Sequence, residues 1–286
     1  MQRRRLVEQP RSQLALWARR LAIFSLPVAL LAIIMARAGL FEALPVLMTF
    51  GAALALAGLA ILVAIAALIG IWIDGRAGAG YALVALAVSF VLLAYPGYLG
   101  YKAYKLPQIN DVTTDPYDPP RLDAAQRLRT RAANSTVYGG LSLFQRQSAA
   151  YPDIAPLSED VTPQVAYDTA YSVITKRKWV IVDARAPQAG RDGIIEAVAR
   201  TPIMGFRDDV VVRVRPASGG ARIDARSSSR YGFHDFGANA SRLISLLSDI
   251  DDATPAEVPV EPAAKKGAQK PGAKPPPKGA QPSARR

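Results

Sequence analysis

The chain has 286 residues, half of them hydrophobic, with a formal net charge of +12, no Cys and one His. These counts exclude disulfides, thiolate metal sites, cysteine nucleophiles and His-rich metal sites. The charge is concentrated at the ends: residues 1–20 contain six Arg and one Glu, residues 253–286 contain five Lys, two Arg and two Glu, and the segment between them is close to neutral. Basic residues next to apolar segments usually determine the orientation of a membrane protein. Because the rest of the chain is close to neutral, we expect no nucleic-acid partner.

Three apolar stretches follow the N-terminal tail, at 21–36, 46–73 and 81–101, and none contains a charged residue. A helix needs about 20 apolar residues to cross the hydrocarbon of a bilayer. The second and third stretches reach that length, and uncharged neighbours extend the first. We therefore predict a three-helix transmembrane region over 21–101, with the lipid bilayer as its partner. Glycines of the second stretch are expected where helices approach closely: Gly51, Gly58 and Gly70.

The orientation follows from the arginines of residues 1–20, which predict a basic cytoplasmic tail. The two connections between the apolar stretches carry one positive and one negative residue each and add no bias. Three spans then place everything after residue 101 on the opposite side, and only Lys102 and Lys105 oppose this arrangement. We predict a multi-pass protein of the bacterial inner membrane with its N-terminus in the cytoplasm and its C-terminal domain in the periplasm.

An alternative is that the first stretch is a signal peptide, because Ala36-Arg37-Ala38 is similar to a small-residue cleavage motif. The long basic segment before the stretch and the Arg within the motif argue against cleavage. Two spans would remain after cleavage, and the C-terminal domain would still be exported.

Residues 102–160 are predicted to form an extended linker, since Pro116, Pro119 and Pro120 favour polyproline or turn geometry. A short helix is expected over 122–133 with Asp123 as its cap. At the other end of the chain, residues 253–286 form a Pro/Ala/Lys tail with almost no large apolar side chain, and we predict that it is disordered.

Residues 161–252 have a regular pattern that predicts a soluble α+β domain. A helix is expected over 162–178, with Thr162 as N-cap and Pro163 in the first turn. A second helix is expected over 236–250, with Asp235 as its cap. Four β-rich runs lie between the two helices and predict a four-stranded antiparallel sheet: 179–185, 193–200, 209–215 and 222–229. The predicted fold class is thus a membrane-anchored α+β protein with three N-terminal transmembrane helices.

Alternation along the last two strands predicts which side chains share a face of the sheet. Val210, Val212 and Val214 point to the core on one face, and Arg213 and Arg215 point to the other. If 217–220 closes a hairpin, Arg213 lies opposite Asp224 and Arg215 lies opposite Arg222. Two opposed arginines need an anion or solvent between them. The second face is therefore either an anion-binding surface or a wet surface neutralised by acidic residues: Asp183, Asp224 and Glu196.

Three short motifs carry a resemblance to a known family: Gly205-Phe206-Arg207-Asp208-Asp209, Arg226-Ser227-Ser228-Ser229-Arg230 and Asp235-Phe236-Gly237-Ala238-Asn239. Together they resemble the bacterial and plastid family called domain of unknown function 1499, over roughly residues 105–252. The resemblance implies a small domain, often exported or membrane-attached, and no particular activity. Relatives often carry a Pro-Asn-Cys-Val run before the first helix, but the nearest equivalent here, 132–140, has no Cys. A thiol role is therefore excluded.

The same motifs supply the candidate site residues. Eight are predicted to bind an anionic ligand at one end of the sheet: Arg207, Asp208, Asp209, Arg226, Ser228, Arg230, Asp235 and Asn239. A catalytic alternative takes Ser227 or Ser229 as nucleophile and His234 as base, with an Asp to orient it. No Gly-x-Ser-x-Gly nucleophile elbow supports that alternative. We predict no metal and no cofactor.

The sequence thus favours a non-catalytic binding or accessory domain for an anionic envelope ligand or protein partner. A periplasmic Ser/His-dependent hydrolase is the alternative.

Overall fold

The computed structural model describes residues 9–255. The first residues of the predicted cytoplasmic tail and nearly all of the predicted disordered tail lie outside the described residues. Residues 9–255 form seven helices: α1 (Gln13–Ala38), α2 (Ala43–Asp74), α3 (Ala79–Lys105), α4 (Asp123–Leu128), α5 (Gly140–Ala150), α6 (Pro163–Lys176) and α7 (Ala238–Ala253). The same described part of the chain forms six strands: β1 (Asp111–Thr113), β2 (Leu157–Glu159), β3 (Val180–Arg185), β4 (Gly193–Arg200), β5 (Arg207–Ala217) and β6 (Gly220–Ser229).

The first three helices are each long and apolar enough to cross a membrane. They pack on one another through a stripe of buried alanines: Ala15, Ala18, Ala22, Ala60, Ala64, Ala67, Ala82 and Ala85. Large apolar side chains point outward from the bundle instead of into it. A bundle with small residues inside and Leu, Ile and Phe outside is the arrangement that a lipid environment favours, because lipid tails satisfy apolar side chains and close backbone approach supplies the packing.

The predicted role of the α2 glycines is wrong. No described atom outside the helix lies within 4 Å of the position that a Cβ would take at Gly51, Gly58 or Gly70. Alanines make the close contacts because they recur on one face of each helix, whereas these three glycines face away from the neighbouring helices.

The sheet domain follows the helices and is fully antiparallel, with strand order β1-β6-β5-β4-β3 and with β2 pairing to the other end of β6. The four predicted strands are all present. The hairpin register is confirmed, since Arg213 pairs with Asp224 and Arg215 with Arg222. The predicted number of four strands is wrong, because β1 and β2 add to β6 along its outer edge. Each has three residues, which is too short for an alternating pattern to reveal it.

The prediction of an extended linker over 102–160 is therefore wrong, since residues 102–105 end α3 and residues 106–160 form further elements. Besides β1 and β2 they form α4 and α5, and this segment, here called the connector, packs on the sheet. Gln147 of α5 holds β1 by accepting from the backbone N–H of Thr113 and donating to its carbonyl, at 3.1 and 2.8 Å. The prolines interrupt backbone ladders, as expected, but the hydroxyl and acidic side chains just before them, Thr114 and Asp115, bond to the sheet.

The two faces of the sheet are both covered. Helices α6 and α7 lie on one face over the main core, which contains Val210, Val212, Val214, Ile223 and Ala225. The start of α6 is as predicted, since Thr162 is the N-cap and its Oγ1 accepts from the Val165 N–H. The part of the connector around α4 lies on the other face, where Leu122, just before α4, and Ala125 of α4 pack on Val211. Leu143 of α5, by contrast, belongs to the main core.

Candidate functional site

The predicted site residues divide between the two faces of the sheet, because neighbours along a strand point in opposite directions. The helix-covered face holds Asp208, Ser227 and Ser229, which meet Asn239 and Arg242 of α7. The connector-covered face holds Asp209, Arg226, Ser228 and Arg230. The predicted anion-binding group of eight residues is therefore not brought together as one site, since the sheet itself separates Asp208 from Arg226 and Arg230.

Arg226 is paired with Asp111 of the connector. Its Nε donates to Asp111 Oδ1 at 2.9 Å and its Nη2 to Oδ2 at 2.6 Å. Remaining donors reach the carbonyls of Pro120 and Thr136, and the guanidinium lies 5.4 Å from the centre of the Tyr138 ring. The side chains of Arg226 and Asp111 are only 3% and 7% exposed. Arg226 is thus enclosed and satisfied within the chain.

Arg230 shares Asp209 with an arginine of the connector. Arg230 Nη2 donates to Asp209 Oδ1 at 2.7 Å, and Arg129 Nε donates to Oδ2 at 2.8 Å. Arg129 also donates to Ser228 Oγ at 3.1 Å. All of these side chains are buried. The cluster therefore ties the connector to β5 and β6 and does not present an open anion site.

A second charged cluster lies further along the same face, where Arg215 and Arg222 oppose each other. Asp115 of the connector lies between them, accepting from Arg215 Nη2 at 3.2 Å and from Arg222 Nη2 at 2.9 Å. Asp224 accepts from both arginines and from Arg213. The anion that the opposed arginines require is therefore supplied by the chain itself.

On the helix-covered face, Asp208 is bonded to Arg242, whose Nη1 also donates to Ser227 Oγ at 2.8 Å. The Ser227 hydroxyl donates to Asn239 Oδ1 at 2.7 Å, and Asn239 Nδ2 donates to Ser229 Oγ at 3.0 Å. Asn239 is fully buried. Its amide thus joins α7 to the end of β6, which explains why a polar side chain occupies this core position.

Asp235 acts as a cap for α7 although it lies before the helix start. The N-cap position is Gly237, with a left-handed φ of 77°. Asp235 Oδ1 accepts from the Gly237 N–H at 2.8 Å and Oδ2 from the Asn239 N–H at 2.9 Å. The predicted capping role is confirmed, while the helix begins at Ala238, two residues later than predicted.

Burial changes the acidity of several of these carboxyl groups. Burial raises the pKa of Asp111 and Asp208, against the opposing influence of their arginine partners. For Asp115, burial acts in the same direction, but hydrogen bonds from the backbone of Asp118 and Tyr117 and the charge of Arg222 prevail and lower its pKa. Asp115 is therefore the carboxylate most firmly held in its ionised form among these three.

The geometry does not assemble the predicted Ser/His pair. His234 Nδ1 accepts from the Phe236 N–H at 2.9 Å, and its ring stacks on Phe236 at 4.9 Å between centroids. No described contact joins His234 to Ser227 or Ser229. A general base must lie within hydrogen-bond reach of its nucleophile. Within residues 9–255, no group of three or more His, Asp or Glu is placed to hold a metal ion.

A cleft on the domain borders the second charged cluster, because Arg213 belongs to its lining. It has a volume of about 630 Å³ and lies between the β3–β4 loop and the start of α4. Four arginines line it together with two aspartates: Arg121, Arg185, Arg191, Arg213, Asp123 and Asp192. Arg185 pairs with Asp183, and Arg213 with Asp118 and Asp224. Arg121 and Arg191 are exposed and make no salt bridge to any described residue, so they are available to an anion.

Residues 111–250 match the family model described as Protein of unknown function (DUF1499). This domain belongs to the DUF1499 family. The match begins at the first residue of β1 and ends within α7, so the DUF1499 domain includes the connector as well as the regular α+β part. A comparison with curated proteins gave no match.

Several residues that organise the DUF1499 domain were not singled out from the sequence as site residues: Asp111, Asp115, Arg129, Asn134, Gln147, Glu196 and Arg242. Glu196 is fully buried, and its carboxylate accepts from the N–H groups of Ala124 and Ala125 at the start of α4. Burial raises the pKa of Glu196, and these two backbone donors partly offset the effect. Charge balance along β6 could have indicated that such residues exist. One face of that strand, continued to Arg230, carries five polar or charged side chains, which need partners from another segment when they are buried.

Proposed function

We propose that this protein is a multi-pass protein of the bacterial inner membrane that holds its DUF1499 domain in the periplasm as a non-catalytic binding module for an anionic ligand. The domain lies at the ends of the helix bundle opposite to the start of α1. Support for the orientation comes from the arginines of residues 1–20, because basic residues are retained in the cytoplasm. Three helices then bring the chain out on the other side.

Retention of the first helix also fits this proposal. Ala36-Arg37-Ala38 ends α1, and Arg37 donates to the carbonyls of Pro202 and Ile203 in the DUF1499 domain. At the opposite end of the bundle, the Ser12 N–H donates to the Ala77 carbonyl at 2.9 Å. Removal of α1 as a signal peptide would leave its alanine-lined contacts with α2 and α3 empty.

The arginine-lined cleft is the single observation on which the binding proposal rests. Arg121 and Arg191 project from two separate segments into one cleft, and a guanidinium presents a planar pair of donors that matches carboxylate or phosphate. The arginines first predicted for this role are enclosed and neutralised by the chain's own carboxylates. The hydrolase alternative has no comparable support, since His234 and the serines are not in contact in the part of the chain that the structure describes.

The test uses the full-length protein in lipid nanodiscs, with citrate and pyrophosphate as probe anions in titration calorimetry. The variant Arg121→Gln/Arg191→Gln removes both exposed cleft arginines, and Arg131→Gln/Arg146→Gln removes two exposed arginines elsewhere. We expect the wild type and the control to bind one of the probes alike, and the cleft variant to bind it about tenfold or more weakly, as loss of charge-assisted hydrogen bonds predicts. No binding by the wild type, or equal binding by the cleft variant, contradicts the proposal.

A further inference from the structure

One end of the sheet contacts the ends of the apolar helices. Arg37, in the last turn of α1, donates from Nε to the Ile203 carbonyl at 3.0 Å and from Nη2 to the Pro202 carbonyl. Arg200, the last residue of β4, donates from Nη1 back to the Arg37 carbonyl at 3.1 Å. These hydrogen bonds hold the loop between β4 and β5 against the end of α1.

The loop between β6 and α7 lies at the same level. Tyr231 and Phe206 have ring centroids 6.5 Å apart. Both rings line a small cavity with Phe41 and with Ala43 of the first turn of α2. Further along this loop, Gly237 shares a groove with Lys102 at the end of α3. Both loops thus adjoin the helix ends at which a membrane interface would begin.

Apolar side chains remain exposed on this part of the domain. Phe233 is 78% exposed and Ile203 is 37% exposed, and Leu40 in the α1–α2 connection is 83% exposed. The last three turns of α3, at the same end of the bundle, carry a row of exposed tyrosines: Tyr95, Tyr98, Tyr101 and Tyr104. Aromatic side chains with a polar group are enriched at the headgroup level of membranes, where one part of the ring is apolar and the other wet.

Positive charge accompanies the apolar side chains. The Arg207 side chain lies against Gly39 at the end of α1 and makes no salt bridge within the described residues. Arg37 and Arg200 lie beside it and bond to backbone carbonyls, so no acidic side chain neutralises the three arginines in the described structure. Lipid phosphates would complement them, because guanidinium groups bind phosphate with two parallel hydrogen bonds.

We propose that these two loops form a membrane-seated surface, composed of Ile203, Phe206, Arg207, Tyr231 and Phe233, that rests in the lipid headgroup region. Ile203 and Phe233 enter the apolar boundary of the leaflet on the domain's side, and Arg207 lies at the phosphates. Arg37 joins this surface to the end of the helix bundle. Because the bundle is surrounded by lipid, we infer that the surface contacts the bilayer and not a separate protein. This inference does not depend on the arginine-lined cleft or on which side of the membrane the domain lies.

The opposite end of the sheet provides a matched control. Strand β5 begins at Arg207, beside the helices, and runs to Ala217 before the turn at Ser218. Eleven residues at about 3.3 Å each place that turn on the order of 30 Å further along the strand direction. A probe at Ser218 reports on the same domain, in the same particle, at its distal end.

The absence of Cys from the chain makes single-site labelling direct. Ile203→Cys, Phe233→Cys and Ser218→Cys are each made in the full-length protein, labelled with the environment-sensitive fluorophore NBD and placed one copy per nanodisc of phosphatidylcholine and phosphatidylglycerol. A parallel set of nanodiscs contains lipid with a nitroxide on its headgroup. All three side chains lie in loops at the ends of strands, and comparison of the labelled variants' melting temperatures with the wild type confirms that the fold is retained.

We expect blue-shifted emission and strong quenching by nitroxide lipid at positions 203 and 233, and neither at position 218. The proposal is overturned if the probes at positions 203 and 233 behave like the probe at position 218, with red-shifted emission and no quenching by nitroxide lipid. A blue shift that appears only when several copies share one nanodisc also overturns it, since the surface would then contact a second copy of the chain and not lipid.

Discussion

Asp111 and Arg226 form a two-point ion pair that joins the connector to the last strand of the sheet, with both side chains almost fully buried. Asp111 belongs to β1 and Arg226 to β6, and the register places Val112 opposite Ser227 between them. Arg226 was predicted from the sequence to bind an anionic ligand. Because the pair is enclosed by the connector, Arg226 instead holds the connector in place.

Replacement of Arg226 is therefore expected to disrupt the fold. Arg226→Ala leaves the Asp111 carboxylate buried without its partner, which typically costs about 3–5 kcal/mol. Chemical denaturation is followed through Trp179, which packs on the domain core, in a background where Trp17 and Trp72 are replaced by Phe. Arg131→Ala, at an exposed position, is the control and should change the unfolding free energy by less than about 0.5 kcal/mol. Equal stability of the two variants would contradict the structural role of Arg226 and would favour an accessible, anion-binding arginine.

The cap of α7 predicts a smaller effect. Asp235→Ala removes the acceptors for the Gly237 and Asn239 N–H groups and should lower the unfolding free energy by about 1 kcal/mol. Asp235→Asn retains one oxygen acceptor and should lose less. The same Trp179 measurement compares the two variants, and a larger loss for Asn than for Ala contradicts the capping role.

Tyr138 predicts a stability change at high pH. Burial, aided by the negative charge of Asp111, raises the pKa of Tyr138 from 10.0 to about 12. The unfolded chain loses this proton near pH 10 while the folded chain keeps it, so the folded state binds more protons between pH 10 and about 12. Stability that depends on Tyr138 is therefore complete below pH 10 and falls as the pH rises through this window.

Tyr138→Phe isolates that contribution. The Tyr138 hydroxyl has no hydrogen-bond partner in the described structure, and the ring face towards Arg226 is retained by Phe. We expect the variant to match the wild type at pH 7 and to lose less stability than the wild type between pH 10 and 12. Parallel stability profiles of the two proteins across that range would show that the Tyr138 hydroxyl does not titrate as proposed.

The proposed topology predicts the behaviour of reporters fused after residue 252. Alkaline phosphatase, which requires export, should be active there, and green fluorescent protein exported in unfolded form should be dark. Fusions in the α2–α3 connection, near Ala77, should show the reverse pattern because the proposed topology puts that connection on the cytoplasmic side. A bright green fluorescent protein after residue 252 contradicts the orientation with the N-terminus inside.

Probe labelling tests the catalytic alternative. Ser227 is fully buried, and its hydroxyl is occupied by Asn239 and Arg242. We expect no labelling of the wild-type protein by a fluorophosphonate probe, measured in gel against a known serine hydrolase. Labelling that disappears in His234→Ala, with the fold retained, would instead support the hydrolase.

Much of the fold could be predicted because local patterns are sufficient for it. The period-two spacing of Val210, Val212 and Val214, with Arg213 and Arg215 on the opposite side, specifies which face meets the helices, and the hairpin register follows from the position of its turn. Thr162 followed by Pro163 marks a helix start without any knowledge of the remaining structure. The three apolar helices are recognisable from their length and absence of charge.

The candidate site could not be predicted in the same way, because its contacts join residues far apart in sequence. Asp111 and Arg226 are separated by 115 positions, and Asp209 and Arg129 by 80. Strand β1 has only three residues, so nothing periodic indicates that it pairs with β6. The prolines of the connector do indicate an interrupted backbone, but an interrupted backbone is compatible both with an extended linker and with a segment packed on a sheet.

The sequence by itself determined the three apolar helices, the order of the regular elements and the two faces of the hairpin, since all of these follow from periodicities within one segment. Only the tertiary structure decided which side chains neutralise the arginines. Arg215 and Arg222 require an anion or solvent where they oppose each other, and the sequence left open whether a ligand, solvent or the chain's own acids supply it. The connector folds over that face and places Asp115 between them, because burying the charges together avoids the cost of leaving either sign enclosed alone.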